Sequence, residues 1–166
     1  MNPFRLRLVC SLILVTGVPA TACRSRTTTA VSEIDSAAIS RAVEASWRET
    51  MASAGSLDPE RVRAGYVDRP LVAVNGHIVE DYDRDAFPSI KSWLHSLRHL
   101  DARYDQVHVQ VLSPDAAVAT MMHHVKWTDS AGTPGEWNSA WTAVFRQVDG
   151  RWKIAYSHES TEPAGR

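Results

Sequence analysis

"EWNSAWTAVFRQVDGRWKIAYSHES" runs from Glu136 to Ser160, and its reading decides the fold. Asp149-Gly150 near its centre is a strong hairpin signal, because a two-residue turn of this kind needs positive φ at both positions. A turn so short fixes the register of the two strands. Val148 then faces Arg151, and strict alternation carries the pairing outward: Phe145 with Ile154, Ala143 with Tyr156, Trp141 with His158, Ser139 with Ser160. These pairs share one face. Lys153, Arg146, Ala155, Val144, Ser157, Thr142 and Glu159 fall on the other. The first face is apolar near the turn and becomes amphipathic at Trp141, Tyr156 and His158. Such a row reads either as ordinary core, with its polar atoms satisfied at the sheet edge, or as the lining of a pocket.

Upstream, "DQVHVQVL" and "AAVATMMHHVKW" flank the turn "SPDA" and predict a second long hairpin, with "TDSAGTPGE" as the loop between the two. "PLVAVNGHIVE" reads as two short strands around Asn75-Gly76. Helical periodicity appears at three places. Ile39, Ala42, Val43, Ser46, Trp47, Thr50 and Met51 recur at three- and four-residue steps, with Asp35 or Ser36 as cap and Gly55 as stop. "DPER" starts a short second helix with Pro59 in its first turn. "DRDAFPSIKSWLHSLRHL" predicts a third, starting between Asp85 and Pro88, with Ile90, Trp93, Leu94, Leu97 and Leu100 as its apolar stripe. Helices first and a long antiparallel meander afterwards predict an α+β domain: a strongly curved antiparallel sheet wrapped around N-terminal helices. There is no internal repeat.

The N-terminus has a different character. Arg5 and Arg7 precede the apolar run "LVCSLILVTGV", which is too short to span a bilayer, and "PATAC" follows. Residues 1–22 therefore read as a signal peptide, cut before Cys23. Cys10 would leave with it, so Cys23 would have no internal disulfide partner; its place at the new N-terminus predicts lipidation, with plain secretion after an ordinary cut at Ala20-Thr21-Ala22 as the alternative. Residues 23–34 read as the lipidated end and a flexible tether, residues 35–160 as the domain, and residues 161–166 as a tail. The expected location is the bacterial cell envelope, with the membrane as partner through the lipid. A formal net charge of −1 over 166 residues excludes the basic excess of a nucleic-acid binder.

The ending "VFRQVDGRWKIAYSHES" and the preceding "VLSPDAAVAT" resemble SnoaL-like domains of the nuclear transport factor 2-like superfamily, which includes the ketosteroid isomerases. The resemblance covers Ser36 to Ser160. It implies a cone-shaped α+β barrel with a deep pocket, and homodimers. It departs from the family at "GSLDPERVRAGYVDRP", which is longer than the segment it replaces. Asp58 and Asp68 align with no catalytic carboxylate of the isomerases or cyclases.

Chemistry in such a pocket would need a general acid or base, and imidazole works at neutral pH. His124 and His158 are the candidates, with Tyr156 as hydrogen-bond donor and Asp68 or Tyr66 approaching from the helical side. The expected pocket lining is Trp47, Tyr66, Trp141, Tyr156, His158 and His124. His95 and His99 share a face of the predicted third helix, but Ser96 stands where the helical zinc motif needs Glu. His123 and His124 are adjacent in a strand and point to opposite faces. No metal and no cofactor are expected, and the acidic run "EDYDRD" reads as a solvated loop. The function expected is binding of a small apolar or amphipathic ligand. The alternatives are an isomerase, cyclase or dehydratase using a pocket histidine, or a dimeric interaction module without a ligand.

Overall fold

The computed structural model describes residues 33–161; the expected signal peptide, Cys23, most of the expected tether and all but the first residue of the expected tail lie outside the described residues. Helix α1 (Glu33–Gly55) is followed by α2 (Pro59–Ala64), strands β1 (Tyr66–Val74) and β2 (His77–Val79), a π-helical turn (Tyr82–Ala86) and α3 (Phe87–His95). Four long strands complete the domain: β3 (Leu97–Ser113), β4 (Ala116–Asp129), β5 (Pro134–Val148) and β6 (Arg151–Thr161).

Both predicted tight turns are present. Asn75-Gly76 and Asp149-Gly150 have positive φ at both positions, as the primed turn requires. Asp58 caps α2 by accepting from the Arg61 backbone N–H at 3.0 Å, with Pro59 behind it. The start of α1 differs from expectation. It lies at Glu33, so Asp35 and Ser36 are inside the helix rather than capping it.

The third helix is shorter than its apolar spacing predicts. It ends at His95, and Leu97 and Leu100 belong to β3. The Ser96 backbone N–H caps the last turn by donating to Ser92 and Trp93 carbonyls. Leu94, Leu97 and Leu100 still enter one core cluster, so three-residue spacing suits both a helix and the strand that leaves it. The pair His95 and His99 is thereby split between two elements, both exposed.

The sheet runs β2-β1-β6-β5-β4-β3. Its antiparallel meander is as predicted, but β1 joins β6 in parallel, pairing Leu71 with Tyr156 and Val72 with Ser157. The strands are long enough for their natural twist to coil the sheet around the helices. Register shifts in β3 near Gln106, whose φ is 49°, and at the β5–β6 pairing add curvature.

Helix α1 crosses the inner face of this sheet. Val43 and Trp47 pack there against Met121, Trp141, Phe145 and Ile154. Ala117, Ala119 and Ala143 supply the shallow floor that lets the helix sit close. A second cluster, Val62, Leu94, Leu97, Leu100 and Val125, closes the other end, with Trp93, Trp127 and Trp137 against it.

Candidate functional site

Between Phe145 and Val144 the β5–β6 register slips by one residue. Phe145 pairs with Ile154, but Val144 pairs with Tyr156, leaving Ala155 as the extra residue of a β-bulge. Beyond the bulge every side chain of β6 changes face. Trp141 pairs with Glu159 and Ala143 with Ser157, on the inside; Thr142 pairs with His158 and Ala140 with Ser160, on the outside.

This corrects the predicted pocket. Trp47, Tyr66 and Trp141 do lie inside. Tyr156 and His158 do not: His158 is exposed beside Ser160 Oγ, 3.3 Å from its Nε2. His124 is also on the outer face, where Nδ1 lies 2.7 Å from Asn138 Oδ1 and Nε2 lies 3.4 Å from Asp105 Oδ2. Asp68 is exposed on β1. The inner histidine of the adjacent pair is His123.

The inside of the sheet gathers a polar cluster at Glu159. One of its oxygens, Oε1, accepts from Ser139 Oγ at 2.7 Å and from Trp137 Nε1 at 3.3 Å, and stands 3.7 Å from His123 Nδ1. Ser139 is fully buried and His123 is 8% exposed. Burial pushes the Glu159 carboxyl up, but His123, Ser139 and Trp137 outweigh it and hold the group below the ordinary glutamate range. Glu159 is thus a charged, well-partnered carboxylate in the interior.

Its surroundings are not partnered. Both ring nitrogens of His123, Trp47 Nε1 and Tyr104 Oη are buried with no hydrogen-bond partner. The Trp47 ring lies edge-on to Tyr104 at 6.1 Å and to His123 at 6.2 Å, and contacts Trp141 at 4.0 Å. On the β1 side, burial pushes the Tyr66 phenol well above the usual range, with Tyr82 and Glu159 adding to the shift and Ser157 opposing it. Burial likewise raises Tyr104, against the pull of Arg48, whose guanidinium lies 5.4 Å from the ring. The phenols are therefore neutral hydrogen-bond donors. Chemically, the cluster offers one oriented imidazole, one fixed negative charge and two unspent donors, N–H and O–H.

Two open cavities lie outside the Glu159 cluster, the first of them reaching it only at Tyr104. One, of about 510 Å³, is on the outer face around His124, Asn138, Asp105 and Lys126. The other, of about 600 Å³, lies between α1, α2 and the β5–β6 turn. Among the described residues no group of three or more His, Cys, Asp or Glu is placed to hold a metal ion.

The SnoaL-like domain family matches residues 43–164. No curated protein matches the chain. Among solved structures, a scytalone dehydratase-like protein from Novosphingobium aromaticivorans superposes with a TM-score of 0.70 at 15% identity, covering 76% of this chain and 86% of that one. Hexachlorocyclohexane dehydrochlorinase LinA type 2 superposes with a TM-score of 0.66 at 12% identity, covering 80% of this chain and 90% of that one. The association domain of CaMKII from C. elegans gives 0.63 at 15% identity, covering 75% and 97%. At these identities the likeness is one of fold.

Proposed function

Because the chain belongs to the SnoaL-like domain family, we propose that the inside of its cone holds the polar group of a small amphipathic molecule, and that His123 exchanges a proton with it. One observation carries this reading: His123, Trp47 and Tyr104 present buried polar atoms with no hydrogen bond, beside a carboxylate that accepts two and faces His123 Nδ1 at 3.7 Å. Leaving a buried donor or acceptor unmade costs about 1–3 kcal/mol each, and a native interior keeps few such groups. A ligand oxygen between Trp47 Nε1 and Tyr104 Oη would satisfy both.

The roles follow from the geometry. Glu159 faces Nδ1 of His123, which favours the proton on that nitrogen and leaves Nε2 as the basic one. Nε2 would take a proton from carbon, while the Trp47 and Tyr104 donors stabilise negative charge developing on oxygen. Proton removal of this kind begins an isomerisation or an elimination. Two proteins of similar fold are named as a dehydratase and a dehydrochlorinase, which agrees with that class. Native mass spectrometry of the full chain would report a retained small molecule, and the same compound incubated with protein in D₂O would report exchange. His123→Gln should abolish the exchange. A chain that carries no ligand, or exchange that survives His123→Gln, would refute the reading.

A second feature favours self-association. Among the described residues no helix covers the outer sheet face, and its middle is poor in charge: Leu71, Tyr156, Val144 and Val118 form one row, and Ala73, His158, Thr142 and Thr120 the next. We infer a homodimer across this face. Its check is the sedimentation coefficient of Val144→Glu, which should fall to that of a monomer. Export and a lipid on Cys23 belong to the same proposal and are read from the mass of the N-terminal peptide.

A further inference from the structure

The groove of about 600 Å³ between α1, α2 and the β5–β6 turn has an unbalanced charge. Arg61 from α2 and Arg151 and Lys153 from β6 all line it, and Glu49 is the one carboxylate in the lining. Elsewhere the described cations are mostly paired: Arg48 with Glu44, Arg63 with Asp83, Arg84 with Asp85, Lys91 with Glu60, Arg103 with Asp101, Lys126 with Glu136, Arg146 with Asp115. Arg61, Arg151 and Lys153 have no ion-pair partner among the described residues. A chain with 19 acidic residues against 18 basic ones leaves three cations unneutralised around one hollow. Like charges gathered in this way repel unless an anion joins them.

The walls are suited to such an anion. The hydroxyls on the α1 side are already used: Ser46 Oγ donates to the Trp152 carbonyl at 2.6 Å, and Thr50 and Ser53 donate within their own helix. The free polar contacts of the groove are therefore the charged ones. Gly65 packs directly on Thr50, where a Cβ would stand 2.4 Å from Thr50 Oγ1, so this wall of the groove is held close by the absence of a side chain. Two guanidinium groups are the side chains best shaped to take paired oxygens of a phosphate. We propose that this groove binds a phosphate group, carried by a soluble phosphate ester or by a lipid headgroup. The site is separate from the His123 cluster and does not depend on it.

The test uses the full chain. Thermal unfolding is followed while inorganic phosphate, glycerophosphoglycerol or sodium chloride is added at matched ionic strength. Phosphate or the glycerol diester should raise the midpoint saturably, beyond chloride. Response to the diester identifies a headgroup, and response to inorganic phosphate alone identifies a soluble ester. Arg151→Gln with Lys153→Gln should weaken the response at least roughly tenfold, since each change removes a charge-assisted contact. Arg61→Gln repeats the test from a different element, and Arg69→Gln, exposed on β1 outside the groove, should bind as the wild type does. Equal effects of phosphate, diester and chloride, or a saturable response that survives both groove variants, would overturn the proposal.

Discussion

Trp141 pairs with Glu159 across β5 and β6, and its neighbour Thr142 pairs with His158. That relationship exists because Ala155 is an extra residue in β6. Deleting Ala155 would give an unbroken ladder with the same pairs, Phe145 with Ile154 and Val144 with Tyr156, and would leave Tyr156 and His158 outside with Ser157 and Glu159 inside. The interior there is filled by Trp47 and Trp141 in contact. A cost of no more than about 1–2 kcal/mol is expected, from the local bend lost with the bulge. Urea unfolding of the deletion variant measures it, and a loss of more than about 3 kcal/mol would show that Ala155 is not the residue that sets the face.

The architecture was legible because its signals are local. Asn75-Gly76 and Asp149-Gly150 announce their own turns, and Asp58-Pro59 announces a helix start. Trp47 and Trp141 fall inside as their patterns predict, and Tyr66 joins them from β1, which starts earlier than the predicted strand. The polar site was not legible, and the reason is one backbone residue. Period-two alternation is faithful only while the ladder is unbroken, and nothing in "KIAYSHES" marks Ala155 as a bulge. The adjacent pair His123 and His124 posed the same difficulty. Their opposition was readable, but which of them faces α1 depends on the register of β4 against β5. The parallel pairing of β1 with β6 links residues far apart in the chain and leaves no local mark.

Glu159 makes stability depend on pH in a defined direction. Its folded-state pKa is depressed, so its carboxylate contributes stability above the ordinary glutamate value. That contribution is lost as pH falls through the depressed one. Glu159→Gln should lower the urea midpoint at pH 7, by about 1–3 kcal/mol in free energy, because Ser139 and Trp137 lose a charged acceptor and His123 loses the charge it faces. The gap between the two proteins should close on acidification below the ordinary glutamate range. Parallel curves down to pH 3 would show that the carboxylate is not held charged by its neighbours.

Trp47 separates packing from polarity. It is 2% exposed and touches the core through Trp141. Trp47→Ala should cost about 3–5 kcal/mol, as other buried aromatic truncations do. Trp47→Phe keeps most of the volume and removes an N–H that makes no hydrogen bond, so its cost should stay under about 2 kcal/mol. Both variants should lose the retained small molecule. Retention by Trp47→Phe would exclude the indole N–H from the site.

Gly135 is a steric requirement of the Trp cluster at the far end of the sheet. A Cβ there would stand 2.0 Å from Trp127 Cζ2, in a group where Trp127 and Trp137 centroids are 5.0 Å apart. Gly135→Ala must displace the Trp127 ring, and a cost of about 1–3 kcal/mol is expected from overpacking. A shift of the tryptophan emission spectrum in the folded variant checks the displacement.

Three histidines test which face of the sheet carries the chemistry. His124 and His158 are on the outside, and replacing either by alanine removes no buried contact. Each change should leave stability within about 0.5 kcal/mol of wild type, and should leave the retained small molecule in place. His123→Gln should keep the fold, since the ring has no hydrogen bond to lose and glutamine fills comparable space. It should nevertheless abolish proton exchange, because an amide cannot take up a proton near neutral pH. The contrast depends only on the face each residue occupies. Loss of exchange in His158→Ala, with His123→Gln unaffected, would mean that β6 runs without its bulge in the functional protein and that Glu159 faces water.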